Sequence, residues 1–347
     1  MSGMLLRLAC TAAVAAQAAL APVPAAAAPA PPRSASQLLR DLQRLYRETE
    51  KATETYNGTS EKLTRQRAEV RRLDGELAHA RLELTDSRGD AGRLAREQYQ
   101  NSSAFSPYVR LLLARDPQRA LDEGHVIGRL ASERARTLDR LTGAEKRADT
   151  VARAARKALD TQETLADRQK RDRDGVTARL RDVERMLAAL TPAQLTEVNQ
   201  LEQDGVTAAQ NRLASSGALG PNRPASAAGT RALSFAMDQI GKPYEWGAVG
   251  PSSYDCSGLT SRAWARAGTP IPRTSQEQWA TLRRIPLTSL RPGDLVIYFP
   301  EATHVAMYVG NGKVVQAPRT GDHVKISPIA ANPILGAVRP DAPPRRL

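Results

Sequence analysis

From Leu38 onward, apolar or small residues recur by fours and threes through Leu42, Leu45, Thr49, Ala52, Tyr56, Thr59, Leu63, Gln66, Val70, Leu73, Leu77, Ala80 and Leu84. Heptad spacing of this kind lines one seam of a long helix and predicts a coiled coil. Thr, Gln and Ala within the seam make it weak and adjustable. A helix over 36–98 would be about 90 Å long at 1.5 Å per residue. The pattern breaks at Asn101-Ser102-Ser103-Ala104-Phe105-Ser106-Pro107. A second seam then runs from Ile127 through Leu130, Arg134, Thr137, Leu141, Ala144, Ala148, Val151, Ala155, Ala158, Gln162, Leu165 and Gln169, and after a stutter near Val176 through Leu180, Val183, Leu187 and Leu190. Two long helices joined by a short tip predict an antiparallel hairpin. The apolar patch Leu111–Leu113 at that tip is either a small packing cap or a docking point for a membrane partner, and the cap is the simpler reading.

Thr191 and Pro192 mark the start of a further helix, as N-cap and first-turn proline, running to about Leu213. The stretch 214–229 is rich in Gly, Pro, Ala and Ser and reads as a flexible linker. Beyond it the periodicity shortens. An amphipathic helix over 230–240 is stopped by Gly241 and Pro243, and strand-like runs follow at 293–300 and 304–310. Asn311-Gly312 is a strong hairpin signal, with 313–318 returning as the partner strand. A two-residue turn there sets Gly310 opposite Lys313 and Gln316 opposite Met307, so a local bulge is needed to bring Gln316 to His304.

The first thirty residues change the setting. Arg7, the apolar run Leu8–Leu20 and the small residues Ala25–Ala28 have the form of an export signal over 1–30, with an apolar run too short and too alanine-rich to span a bilayer comfortably. Of the two cysteines, Cys10 falls in that segment and would be removed with it. The mature chain then keeps Cys256 alone, which suits an exported hydrolase that needs a free thiol. Net charge is +13 with a pI near 10.2. Basic residues in the long helices alternate with acidic ones, the mark of a solvated helix face. For an exported chain, wall carboxylates and phosphates are better counterparts than nucleic acid. His79 and His125 have no companion at metal-ligand spacing, and no metal or cofactor is expected.

Cys256 begins the run Cys256-Ser257-Gly258-Leu259, which continues with helical spacing to Ala267 and a capping Gly268. At a helix start, unpaired N–H groups and the positive end of the dipole favour a thiolate, the form a cysteine nucleophile needs. His304 is the expected base. Gln316 is a candidate to orient it, though an ordinary strand residue fits its periodicity equally well. His323 is a rival base, placed in a turn by Gly321-Asp322.

Residues 231–340 resemble the NlpC/p60 family of bacterial cell-wall cysteine peptidases. The resemblance rests on Gly241-Lys242-Pro243-Tyr244-Glu245-Trp246-Gly247, Asp255-Cys256-Ser257-Gly258, Pro272-Arg273-Thr274-Ser275, Arg291-Pro292-Gly293-Asp294-Leu295, His304–Gly310 and Gln316-Ala317-Pro318, in order and at the family's spacing. Many members carry a second His where this chain has Gln316. The resemblance implies an α+β papain-like domain behind a helical hairpin, and hydrolysis of peptidoglycan stem peptides between γ-D-glutamate and the diamino acid. It favours substrate contacts for Asp255 and Ser257 at the stem peptide's free amino end, and a site-lining role for Tyr244. On the residues alone, Asp255 either binds an amine or starts the helix, Tyr244 is equally a half-buried ring, and Arg273 and Ser275 either shape the cleft or are loop residues. The expected division is a signal peptide (1–30), a helical domain (34–213), the linker (214–229), the catalytic domain (230–340) and a tail (341–347). The hairpin is expected to occlude or localise the cleft, answering to a membrane division or wall-synthesis partner.

Overall fold

A computed structural model describes residues 34–100, 109 and 117–342. The expected export signal, the Leu111–Leu113 tip patch and the end of the tail lie outside them. Helix α1 spans Ala35–Gln100 and helix α2 spans Pro117–Ala188. They lie antiparallel, as the cross-links show: Thr59 to Asp172, Gln66 to the Ala158 carbonyl, Glu83 to Arg147 and Arg88 to Glu145. The buried apolar residues come from the two seams: Leu38, Leu42, Leu63, Leu73 and Ala80 on α1, and Ala144, Ala148, Ala158, Val176 and Val183 on α2. The small residues let the helices approach closely but bury little apolar area per turn.

Helix α3, Pro192–Ser215, starts with Thr191 accepting from the Gln194 N–H while the Gln194 side chain accepts from the Thr191 N–H, a reciprocal capping box. Val198 of α3 closes the base of the hairpin against Ala35, Leu38, Leu42 and Val183.

The C-terminal domain is a six-stranded antiparallel sheet in the order β1-β6-β2-β3-β4-β5, with strands Arg283–Ile285, Leu295–Tyr298, His304–Gly310, Lys313–Gln316, Lys325–Pro328 and Ile334–Arg339 numbered along the chain. Helices α4 (Ala227–Met237), α5 (Cys256–Arg266) and α6 (Ser275–Thr281) complete it. Alternate residues of the central strands serve two cores. Leu295, Ile297, Val305, Met307 and Val315 pack with Ala232, Ala236, Leu259 and Trp264 of α4 and α5, while Val296, Tyr298, Ala306, Tyr308 and Val314 pack on the opposite face. Leu213 and Leu219 help cover that second face.

The segment read as a flexible linker is therefore seated on the domain. Besides Leu219, Asn222 bonds Asn311, and Gly220 approaches so closely that a Cβ there would lie 2.0 Å from the Thr288 carbonyl oxygen. Gln210 of α3 donates to the Gly312 carbonyl and accepts from the Ala330 N–H, pinning α3 to the same face. Only the stretch between Ser215 and Ala227 lacks regular structure: α3 runs into the expected linker, and the helix expected over 230–240 starts earlier, at Ala227 behind the Ser226 cap, and ends at Met237. Composition did not show that an apolar sheet face needed covering.

Candidate active site

Cys256 is the first residue of α5. Asp255 caps the helix, its Oδ1 accepting from the Gly258 N–H at 2.6 Å. Gly258 has no alternative, because a Cβ there would sit 2.1 Å from the Ala248 carbonyl oxygen. The helix packs Leu259, Ala263 and Trp264 into the core, which fixes its first turn beneath the start of β3. Cys256 is a buried free thiol, and burial pushes its pKa well up, with Glu54, Asp255 and Glu50 adding to the effect and the Val305 N–H opposing it. Burial and these carboxylates together favour the thiol over the thiolate.

His304 opens β3 and is fully buried. Its Nε2 lies 2.7 Å from Gln316 Oε1, so the ring N–H donates to the amide oxygen and the other nitrogen is left for chemistry. The register carries the correction that this pairing required. Gly310 faces Lys313 as the turn predicts, but a shift between Tyr308 and Gly310 sets Met307 opposite Val315 in place of Gln316. One residue of shift reverses the face to which a strand residue points. Gln316 thereby shares the face of His304. His323 is exposed and pairs through its backbone with Pro243, away from this arrangement.

The remaining expected residues form one network. Asp255 holds Arg273 through two bonds of 3.0 and 2.6 Å, and accepts from the Gly247 N–H at 2.9 Å. Arg273 also donates to Ser257 Oγ at 2.8 Å. Ser275 donates its hydroxyl to the Ala302 carbonyl at 2.7 Å and presents its backbone N–H to the cleft. Tyr244 is buried, and its phenol pKa is raised by burial and then by Cys256 and Asp255 beside it. Asp255 is a helix cap that also binds Arg273, while Arg273 and Ser275, the latter at the start of α6, bond to the residues around Glu54 and Asp255. The guanidinium of Arg273 loses solvation on burial, yet its pKa is raised by Asp255 and Glu54.

Four polar residues of α1 complete the site, and none of them lies on the heptad seam. Glu54 accepts from Ser257 Oγ at 2.7 Å and from the Ser275 N–H at 2.7 Å, and its Oε1 stands 3.9 Å from Cys256 Sγ. Asn57 donates to Asp255 Oδ2 at 3.1 Å. Glu50 Oε1 lies 3.4 Å from His304 Nδ1, an ion-pair distance without hydrogen-bond alignment. Thr53 is buried between them. Burial, then the nearby Asp255, raises the Glu54 pKa to about 7. His304 is desolvated, which lowers its pKa, but Glu50 and Gln316 outweigh that and leave it raised. Among the described residues, the buried side-chain polar atoms without a hydrogen-bond partner are Glu50 Oε2, Thr53 Oγ1 and His304 Nδ1, all at this contact. Tyr56 adds an edge-on contact to Trp246, with ring centroids 5.1 Å apart. The signal was present in the sequence as a second stripe, Glu50, Thr53, Glu54 and Asn57, at i, i+3, i+4 and i+7. A polar stripe normally marks a solvated face, so only the structure shows what it meets.

Residues 241–336 match the model of the NlpC/P60 family. A probable endopeptidase of Corynebacterium glutamicum is 40% identical over 116 residues, which are 33% of this chain and 56% of that protein. The peptidoglycan endopeptidase RipA of Mycolicibacterium smegmatis is 44% identical over 107 residues, 27% of this chain and 22% of that one. The solved structure of RipD from Mycobacterium tuberculosis, a non-catalytic NlpC/p60 domain protein adapted to peptidoglycan binding, is 29% identical with a TM-score of 0.30, covering 33% of this chain and 98% of that one. This chain thus spans about half, or less, of the length of the two endopeptidases it matches. With the motifs, their geometry and these matches in place, the chain belongs to the NlpC/P60 family, through a domain at its C-terminal end.

Proposed function

We propose that this chain is an exported cysteine endopeptidase that cuts peptidoglycan stem peptides between γ-D-glutamate and the diamino acid, and that α1 holds it latent. The observation that carries the chemistry is the pairing of His304 Nε2 with Gln316 Oε1 beside a cysteine at a helix start. The name of the RipA relative, a peptidoglycan endopeptidase, supports the substrate class, and that of the Corynebacterium relative supports endopeptidase activity. The form of residues 1–30 supports export.

The steps follow from the groups. With α1 withdrawn, His304 Nδ1 takes the thiol proton and the Cys256 thiolate attacks the γ-glutamyl carbonyl carbon. Backbone N–H groups at the start of α5 receive the developing oxyanion. His304 then gives the proton to the departing amine as the C–N bond breaks, leaving a thioester. Water, deprotonated by His304, cleaves the thioester and regenerates the thiol. Gln316 keeps the imidazole in the tautomer these transfers need, but supplies no charge to the imidazolium.

Latency follows from the same contacts. Glu54 fills the cleft beside the sulfur, Glu50 faces the base, and both carboxylates raise the thiol pKa. Release of α1, in this reading by a membrane division or wall-synthesis partner acting on the hairpin, removes burial and negative charge together.

The test uses the full chain carrying Glu54→Arg, which sets a guanidinium against Arg273 and the Ser275 N–H and so expels α1. This variant should cleave a synthetic L-Ala-γ-D-Glu-diamino acid peptide at the γ-glutamyl bond, as read by mass spectrometry, and adding Cys256→Ala should abolish cleavage. Cleavage that survives Cys256→Ala overturns the mechanism. No cleavage by the Glu54→Arg chain leaves a wall-binding role like that of RipD as the better reading.

A further inference from the structure

Helix α1 acts as a ruler laid along the cleft. Glu54 marks Cys256, Glu50 marks His304, and one turn further back Tyr46 stacks on the Arg319 guanidinium at 4.5 Å. Positions four apart on a helix are about 6 Å apart along its axis. Arg319 therefore lies about one helical turn beyond His304, on the side away from Asp255, Arg273 and the Ser275 N–H. The reaction assigns those sides. His304 must protonate the leaving amine, so the residue that departs with that amine sits on the His304 side of the sulfur.

A cavity of about 710 Å³ opens there, lined by Tyr46, Glu50, Glu202, Gln316, Arg319 and Lys325 among others. Part of its wall is α1 itself, so release of α1 turns it into an open groove beside Arg319. Arg319 dominates its chemistry. Asp322 lines the same cavity and acts on Arg319 through its charge, but its carboxylate bonds Lys325, so the carboxylate hydrogen bonds that Arg319 makes do not come from Asp322. What it holds instead comes from the helical domain: Glu202 of α3, through Nη1 and Nη2 at 2.8 and 3.0 Å. A two-pronged carboxylate on a guanidinium is the arrangement by which proteins recognise carboxylate ligands.

On the peptidase reading above, we infer that Arg319 is the receptor for a carboxylate on the leaving diamino acid, and that it makes the chain select diaminopimelate over lysine. Both residues offer the same linked amine and a distal ammonium, but only diaminopimelate carries a distal carboxylate. When α1 leaves, Tyr46 leaves with it and uncovers one face of Arg319. Gln210 keeps α3 seated, so Glu202 remains as the internal carboxylate with which the substrate competes. The guanidinium has five donors and Glu202 engages two of its three nitrogens, leaving an edge for a second carboxylate.

The experiment uses the full Glu54→Arg chain and three tetrapeptides, L-Ala-γ-D-Glu-X-D-Ala, with X diaminopimelate, lysine, or diaminopimelate amidated at its distal carboxyl. In all three the α-carboxyl of X is in amide linkage, so only the distal carboxylate varies. Loss of a charge-assisted hydrogen bond from a bound ligand costs about tenfold or more in affinity. The expected result is kcat/KM about tenfold or more in favour of diaminopimelate over both others, mainly through KM. Arg319→Gln should bring that ratio close to one, and Glu202→Gln, which removes the competing carboxylate, should raise it. A ratio near one with Arg319 intact overturns the assignment. So does a ratio that Arg319→Gln leaves unchanged, or one that Glu202→Gln lowers. Cleavage of none of the three overturns the peptidase reading itself, a distinct failure.

Discussion

Gln316 reaches His304 because of a single residue of register shift. Without it the two side chains would point to opposite faces of the sheet. Replacing Gln316 by Ala in the Glu54→Arg chain leaves the Nε2–H of a buried imidazole without an acceptor, a loss of about 1–3 kcal/mol. The peptidase rate should accordingly fall about tenfold in steady-state assays. His304→Ala removes the proton carrier and should take the rate to background. If Gln316→Ala leaves the rate unchanged, Gln316 returns to the class of ordinary strand residues. Much of this scale was legible in the sequence. Cys256 at a helix start followed from the spacing up to Ala267, and His304 and Gln316 flank the Asn311-Gly312 turn. The bulge was not legible in its position, because it depends on how Tyr308 and Gly310 settle against the rest of the sheet. The dual task of Asp255, capping α5 while gripping Arg273, was also hidden, since Arg273 lies in a loop whose path no local pattern sets.

At the scale of elements, α1 does two jobs with two faces. One face pairs with α2 through Leu63 and Leu73, and the other carries Glu50, Thr53, Glu54 and Asn57 into the cleft. The first face is marked in the sequence by its apolar period, while the second is polar and so reads as solvated. Glu54 makes docking sensitive to pH, and the sign follows from its shift. Glu54 has its pKa raised from 4.5 to about 7 when docked, so docking is strongest below about 4.5 and weakens as pH rises through 7. His304 and Cys256 are also raised in the docked state, and each therefore favours docking at lower pH. Alkylation of Cys256 in the full chain should thus gain, as pH rises from 5 to 8, relative to a Glu54→Gln chain in which residue 54 stays neutral. A constant or falling ratio of the two rates would contradict this account of the contact.

At the scale of the whole molecule, the helical domain is fastened to the sheet in two ways of different strength. Helix α3 and the segment after it are held by Leu213, Leu219, Gln210 and Asn222, with apolar burial and satisfied bonds. The α1 contact leaves Glu50 Oε2, Thr53 Oγ1 and His304 Nδ1 without hydrogen-bond partners, Nδ1 having only the ion-pair approach of Glu50, and a buried polar atom with no partner costs about 1–3 kcal/mol. On the proposed latency, α1 is the contact expected to release first while α3 keeps the hairpin attached. The sequence showed a long helical part, a boundary and an α+β domain, because seams, turns and motifs are local signals. It did not show that the two parts meet at the nucleophile, because that contact joins residues some two hundred apart, as in Glu54 with Ser257. The most direct test is a time course of purified peptidoglycan digestion by the full wild-type chain, the Glu54→Arg chain and the Glu54→Arg/Cys256→Ala chain, with released muropeptides measured by mass spectrometry. The account predicts little release by wild type, at least about tenfold more by Glu54→Arg, and none by the double variant. Equal release by wild type and Glu54→Arg would contradict it.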